Sequence, residues 1–498
     1  MRYQAEQVLK RLWVWLKDGR VWGFCVALGL LIVYGALTSP RRFQYDPGYY
    51  WALRTTFLDG QGNFSLLHYH DWQYQLRGYL FPLLLLGVER VLDFLTPDRF
   101  VDDGLIVVMF NAALLAATGW CLMPRIFSFF SGRDFPIRLR AALVLVLTIF
   151  WHGLLYQPYS DLPAFTLFLA AAVFFIGTIH HSGWRALGLA FLAGAMAAAA
   201  YLVRPVYLVA WLVLWAGVGL FSGDRRALAQ KSGNAAVFLL AGILLILPQS
   251  MINKAQYNSD SPLTSGGLYG YQITGGFILQ RFDVNQDKSI YPSAGVRFVD
   301  AQSMSILKRE KRELAEFVLG GESLATDEIM KRLLSPQEFL NLWLKYPLDM
   351  VTVYFRHVFN GLNPMYAGIM ADDVYRVDAL MMWLNYTMLF GVLFFFETRT
   401  LFSKGLAVSA ALLLAWLLPV LAAVPGAVEA RYFLPLHALL EASFVWMMGD
   451  LSSFKQRIDG FGRGRMLLLY GLFVLLAFSL SGLVLTTALR AEILLTPR

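Results

Sequence analysis

Four groups of residues in this 498-residue chain have types and spacing suited to chemistry. Asp46 stands in the run Arg41-Arg42-Phe43-Gln44-Tyr45-Asp46-Pro47-Gly48-Tyr49-Tyr50-Trp51. Asp followed by Pro is a helix start, with Asp46 as N-cap. One carboxylate oxygen can cap while the other faces a cavity, so the same residue is a candidate general base. Asp161, in Tyr159-Ser160-Asp161-Leu162-Pro163, is a second carboxylate of the same kind. Two carboxylates at one face suit shared acid/base or metal work. His68, His70 and Asp71 form the third group. Residues two apart on a strand face the same way, and imidazoles beside a carboxylate suit a divalent metal; the plainer reading is a solvated polar loop. The fourth group is cationic: Arg204-Pro205, Arg356-His357 and Arg431-Tyr432. Planar guanidinium donors match phosphate oxygens, whereas an arginine at a membrane edge otherwise snorkels or pairs with a nearby carboxylate.

The elements that must position these residues are set by composition. Hydrophobic residues make up 57% of the chain and charged ones 15%, with mean hydropathy +0.53. A soluble chain this apolar lacks the polar surface to cover itself, which excludes a cytosolic enzyme, a disulfide scaffold and a disordered chain. An all-α polytopic membrane protein remains. Apolar runs at about 21–38, 104–123, 141–157, 164–180, 187–203, 205–221, 234–250, 377–396, 405–424, 432–449 and 467–486 read as eleven spans. A twelfth run, about 78–95, carries Glu89, Arg90 and Asp93 near one end and is expected to lie along the outer surface or re-enter. Basic residues favour the cytoplasmic side. With 78–95 kept out of the count, the inner connections sum to +12 and the rest of the chain to −4. The N-terminus is then inside and the C-terminus outside. The first span is expected to be retained and preceded by an amphipathic helix at about 3–18. Cys25 and Cys121 fall in apolar runs and read as buried thiols.

Three parts follow. Residues 1–250 form an N-terminal membrane module that holds both carboxylates and includes a first outer loop, 39–103. Residues 251–376 form an outer polar subdomain, in which Ser335-Pro336-Gln337-Glu338 is a capping box starting a helix to about Lys345. Residues 377–498 return to the membrane. The net charge of +8 sits in connections between spans, so a nucleic-acid partner is not expected.

In order along the chain, Asp46 after the first span, the surface segment 78–95, Asp161 in the next outer loop, Arg204-Pro205 two spans later and Arg431-Tyr432 near Pro435 resemble the type-C (GT-C) membrane glycosyltransferases. That superfamily includes protein O-mannosyltransferases and the lipid A aminoarabinose transferase. The sequence departs from the family in having a lone Asp-Pro in the first loop and one acidic residue in the second. The resemblance implies a GT-C bundle of about eleven helices with two large periplasmic loops. It further implies an inverting transfer of sugar from a polyprenyl-phosphate donor to a glycan, lipid or protein hydroxyl. Asp46 and Asp161 would be the catalytic carboxylates. Arg431, Arg356 and Arg204 would hold the donor phosphate, and Tyr45, Tyr49 and Tyr432 would contact substrate. The sequence assigns no cofactor, and a divalent metal, for which His68, His70 and Asp71 are the candidate ligands, is left open. The expected setting is a bacterial inner membrane with a periplasmic site. A polysaccharide polymerase or ligase is the alternative among enzymes, and a transporter the alternative outside them.

Overall fold

The computed structural model describes residues 19–38, 43, 45–71, 77–96, 102–223, 228–263, 273–274, 276–282, 295–311, 334–362, 379–396, 405–426, 430–486 and 488–493. The side chains of Tyr45 and Asp46, and of most strand residues, lie outside that description, as does the expected helix at 3–18.

Among the described residues seven helices are long and apolar enough to cross a membrane: α1 (Gly19–Thr38), α4 (Asp103–Ser131), α6 (Asp161–His180), α7 (Gly183–Val203), α9 (Leu228–Tyr257), α14 (Leu406–Ala423) and α17 (Arg463–Thr486). Shorter apolar helices accompany them: α5 (Ile137–Trp151), α8 (Leu208–Phe221), α13 (Ala379–Phe395) and α15 (Leu434–Met448). In a bilayer core, backbone groups must bond within the segment, and helices satisfy that demand. This is the architecture of a helical multi-pass membrane protein. Helix α4 carries one π turn, Ala117–Leu122, which lets it bend without a break. The buried face of α7 is almost wholly alanine, with Ala190, Ala193, Ala197, Ala198 and Ala200. Small residues let helices approach closely where no hydrophobic drive separates helix from lipid. At Gly194 an added Cβ would lie 2.1 Å from the Phe238 carbonyl oxygen of α9.

Cys25 and Cys121 are free but exposed, not buried. An apolar helix in lipid turns apolar residues outward as well as inward, so hydrophobicity does not predict burial here. Helix α3 (Leu80–Leu95) is amphipathic and is not among the candidate spans. It buries Phe81, Pro82, Leu85 and Leu86 against the bundle and leaves Val91, Phe94 and Leu95 exposed.

The two ends of the bundle differ. At one end Arg20 pairs with Asp134, the Arg140 guanidinium donates to the Trp120 carbonyl at 2.7 Å, and Arg138 reaches the Gly449 carbonyl. At the other, Trp51 of α2 (Tyr45–Leu53) donates to Asp103 at the start of α4 (2.8 Å). There the Tyr257 hydroxyl, at the end of α9, accepts from the Asp71 backbone. The polar subdomain lies beyond that end. It contains α10 (Ala301–Arg309), α11 (Pro336–Lys345) and α12 (Pro347–Leu362). The capping box forms: Glu338 N donates to Ser335 Oγ (3.2 Å), and Ser335 N to Glu338 Oε2 (2.8 Å). The fold is not purely helical. Strands β1 (Leu279–Phe282), β2 (Gly295–Asp300) and β3 (Ala488–Ile493) make an antiparallel sheet in the order β1-β2-β3. Because β3 follows α17, its pairing with β2 fixes the end of α17 at the side of the polar subdomain.

Candidate functional site

Three breaks between helices build the site. Helix α6 begins at Asp161, an acidic residue in its first turn, where the helix dipole favours negative charge. Asp161 is thus the first helical residue, with Ser160 at the cap position. Arg204 is held extended at φ −148° and ψ 112°, because the residue before a proline is excluded from the helical region. Pro205–Tyr207 then makes one 3-10 turn into α8. Arg431 sits in a second 3-10 turn, Ala430–Phe433, and Pro435 sets the first turn of α15.

These breaks meet. The Arg204 guanidinium pairs with Asp161 Oδ1, and Arg431 Nη1 stands 3.6 Å from Oδ2 of the same carboxylate. Asp161 and Arg431 are 3% and 5% exposed. Tyr432 lies between the arginines, 4.4 Å from the Arg204 guanidinium carbon and 5.2 Å from that of Arg431. Tyr159 faces Arg431 from the other side at 4.1 Å. Burial is the largest single influence on Arg204 and works against its charge; Asp161, Tyr432 and Tyr50 together outweigh it and raise its pKa above the usual arginine value. A small cleft opens over these side chains, with Tyr207 and Pro419 in its wall. Among the described residues two guanidiniums share one carboxylate in a partly desolvated cleft, where charge is weakly screened.

The first outer loop joins this cluster through α2. Tyr50 shares a hydrogen bond with Ser160, the neighbour of Asp161, at 3.1 Å. Arg77 lies 4.3 Å above both the Tyr49 and Tyr50 rings, a cation–π bracket on the helix. Asp71 accepts from the Tyr49 hydroxyl and from the Arg77 backbone at 3.0 Å. Arg54 forks onto Glu89 of α3 through two bonds of 2.9 Å. Burial, with the Asp71 charge adding to it, pushes the Tyr69 hydroxyl well above its ordinary pKa.

The structure therefore brings together Asp161, Arg204, Arg431 and Tyr432. Asp46 occupies the second residue of α2, inside the helix and not at its cap. Its position is four residues from Tyr50, so the two share a helix face; the side chains of Asp46 and Tyr45 lie outside the described residues. Tyr49 is taken up by Asp71 and Arg77. Arg356 is engaged elsewhere: its Nε and Nη2 each donate to Asp300 at 2.7 Å, and Asp300 caps α10. The metal group left open on His68, His70 and Asp71 is not assembled among the described residues. Leu66–His68 is a 3-10 turn and not a strand, so the alternation that would align His68 with His70 is absent. Both histidines are exposed, while Asp71 is 1% exposed and turned to Tyr49. Among the described residues no group of three His, Cys, Asp or Glu side chains is placed to hold a metal.

Sequence reasoning passed over Arg77 and Tyr159. Tyr159 belongs to the Tyr-Ser-Asp-Leu-Pro motif, and its place two residues before Asp161 was the available signal. It also passed over Glu441, buried within α15, which accepts from the Trp151 indole at 3.0 Å one helical turn below the buried His437.

No protein-family model matches the chain, and no curated protein matches it in sequence.

Proposed function

We propose that the protein is an inverting, polyprenyl-phosphate-dependent glycosyltransferase of the GT-C type. It would span the membrane eleven times with its N-terminus inside and act at the outer, periplasmic face of a bacterial inner membrane. The observation that carries the reading is the Arg204–Asp161–Arg431 cluster. It is a buried charged group, two arginines on one described carboxylate, at the end of an apolar bundle. The topology is supported by the sheet, since pairing of β3 with β2 puts the end of α17 with the polar subdomain and requires an odd number of crossings after an inside N-terminus. The arginine-rich opposite end fits the cytoplasmic side.

In this reading the donor phosphate meets Arg431 and Arg204, whose paired donors match its oxygens. The acceptor hydroxyl oxygen bonds to the anomeric carbon from the face opposite the phosphate. The bond between that carbon and the phosphate oxygen breaks, and the hydroxyl proton passes to Asp46 as general base. The leaving phosphate gains charge as the bond breaks, and preorganised guanidiniums stabilise it. Asp161 is already shared by both arginines, which suits orienting them more than taking a proton. Tyr432, between the guanidiniums, keeps them apart and flat.

The test is transfer by the purified full-length protein in nanodiscs, using radiolabelled polyprenyl-phosphate sugars and an envelope extract as acceptor. Asp46→Asn and Arg431→Ala are each expected to abolish transfer while the protein expresses and folds. Full activity in Asp46→Asn defeats the mechanism. The buried Glu441 favours a second reading, a transporter, because intramembrane carboxyls mark ion paths. That reading requires solute flux without release of polyprenyl phosphate, and the same assay separates the two.

A further inference from the structure

Helices α11 and α12 run nearly end to end, with only Tyr346 between them. Along them Leu340, Leu344, Leu348, Val351 and Phe355 are all exposed, Leu344 at 74% and Leu348 at 80%. Leu340 and Leu344 stand one turn apart on α11, and Leu348, Val351 and Phe355, spaced 3 and 4, share a face of α12; Tyr346, at φ −128° and ψ 53°, bends the chain between them. The opposite face is also apolar and already covered: Leu342, Met350 and Tyr354 are buried in the core of the polar subdomain with Phe277 and Met304. A helix apolar on two faces needs two apolar surroundings, and protein supplies one of them here.

The far end of α12 lies among the spans. The Gly361 carbonyl accepts from His437 Nε2 in α15 at 2.9 Å, and the Leu362 carbonyl accepts from the Asn385 amide in α13 at 2.9 Å. Gly361 packs so closely that a Cβ there would lie 2.3 Å from the Phe433 ring. The end of the helix that carries Leu348, Val351 and Phe355 is therefore anchored among the membrane-spanning helices. At 1.5 Å per residue, Leu348 lies about 21 Å along the helix from Leu362. An upright α12 would lift Leu348 and Leu344 clear of the hydrocarbon; an oblique one keeps the whole stripe at its boundary. Basic residues gather where α11 meets α12. Lys345 pairs with Glu310 (2.7 Å), Arg309 pairs with Asp349 (2.8 Å), and Lys308 and Lys311 are exposed beside them. An apolar stripe flanked by lysine and arginine is the pattern of a helix seated among anionic headgroups.

We propose that α11 and α12 form an interfacial membrane-binding surface, with Leu340, Leu344, Leu348, Val351 and Phe355 dipped into the outer leaflet, so that the polar subdomain rests on the bilayer instead of projecting from it. The occupant of this face is lipid.

The experiment is site-directed spin labelling of the full-length protein. In a background with Cys25→Ala and Cys121→Ala, single cysteines replace residues 340, 344, 348, 351 and 355, and the exposed residues Gln61 and Ser305, which lie on other elements, as controls. Each is labelled in nanodiscs of phosphatidylcholine with phosphatidylglycerol. Power saturation then reports collision with oxygen, which concentrates in lipid, and with a polar nickel chelate, which stays in water. The expected result is a several-fold higher oxygen-to-nickel ratio at the five stripe positions than at the controls, greatest at 355. High nickel access along the stripe overturns the proposal, because the face is then in water. Low access to both reagents also overturns it, because the face is then covered by protein, whether a second copy or residues 312–333 of this chain.

Discussion

Replacing Asp161 with Asn tests the physical core of the site. The amide keeps the shape of the carboxylate and loses its charge, so Arg204 and Arg431 lose the counterion they share. Arg431 Nη1 stands 3.6 Å from Asp161 Oδ2, and at an effective dielectric constant near 20 that attraction is about 4–5 kcal/mol. Desolvation of both partners offsets much of it when the pair forms. Removing one partner of a buried pair restores none of that solvation, and such changes cost about 3–5 kcal/mol. Asp161→Asn should therefore lower the melting temperature of the detergent-solubilised protein by about 5 °C, given the dependence of melting shifts on chain size. Intrinsic fluorescence of the 14 tryptophans is the readout. The decisive comparison is a double-mutant cycle. In an Arg431→Gln background one of the two cations is gone, so Asp161→Asn should cost at least about 2 kcal/mol less than in the wild type. Strict additivity of the two substitutions refutes the claim that one carboxylate holds both arginines.

Three further outcomes follow from particular contacts. Gly194→Ala should destabilise the protein by about 1–3 kcal/mol by forcing α7 from α9 at the Phe238 carbonyl, and a wild-type melting temperature contradicts that close approach. Trp151→Phe removes the donor to the buried Glu441 and should cost about 1–3 kcal/mol, whereas Trp151→Phe combined with Glu441→Leu should recover most of the loss. Tyr69 is held neutral by burial, and its hydroxyl donates to the Arg77 carbonyl at 2.9 Å. Its folded pKa lies above the unfolded value of about 10, so its contribution is full below that pH and is lost as pH rises through the folded value. Limited proteolysis of the first outer loop should accelerate above about pH 10, and Tyr69→Phe should remove that component of the pH dependence.

Much of this arrangement is readable from the chain. Long apolar runs forecast helices because a bilayer leaves the backbone few other choices. Arg204-Pro205 and Asp161-Leu162-Pro163 forecast breaks because proline restricts the residue before it and suits the first helical turn. The capping box at Ser335 formed as expected because its two bonds are local. Non-local pairing was harder to read. Nothing near Arg356 in sequence names Asp300, 56 residues away, as its partner. Nor does anything near β2 name a strand beyond the last span. The alignment of His68 with His70 assumed a strand, where Leu66–His68 forms a 3-10 turn. Cysteine exposure was misread because in lipid an apolar side chain has two favourable surroundings. The side chain of Asp46 lies outside the described residues, so its part in the mechanism rests on its place on the Tyr50 face of α2.

The central claim is that Arg204 and Arg431, steadied by Asp161, hold the phosphate of a polyprenyl carrier. Binding of polyprenyl phosphate to the purified protein, followed by native mass spectrometry in detergent, tests it most directly. A lost hydrogen bond to a charged group is worth about 1.5–3 kcal/mol, so Arg431→Ala and Arg204→Ala should each weaken binding by about 10- to 150-fold. Arg133→Ala, at the opposite end of the bundle, should leave it unchanged. Equal binding by all four proteins contradicts the account.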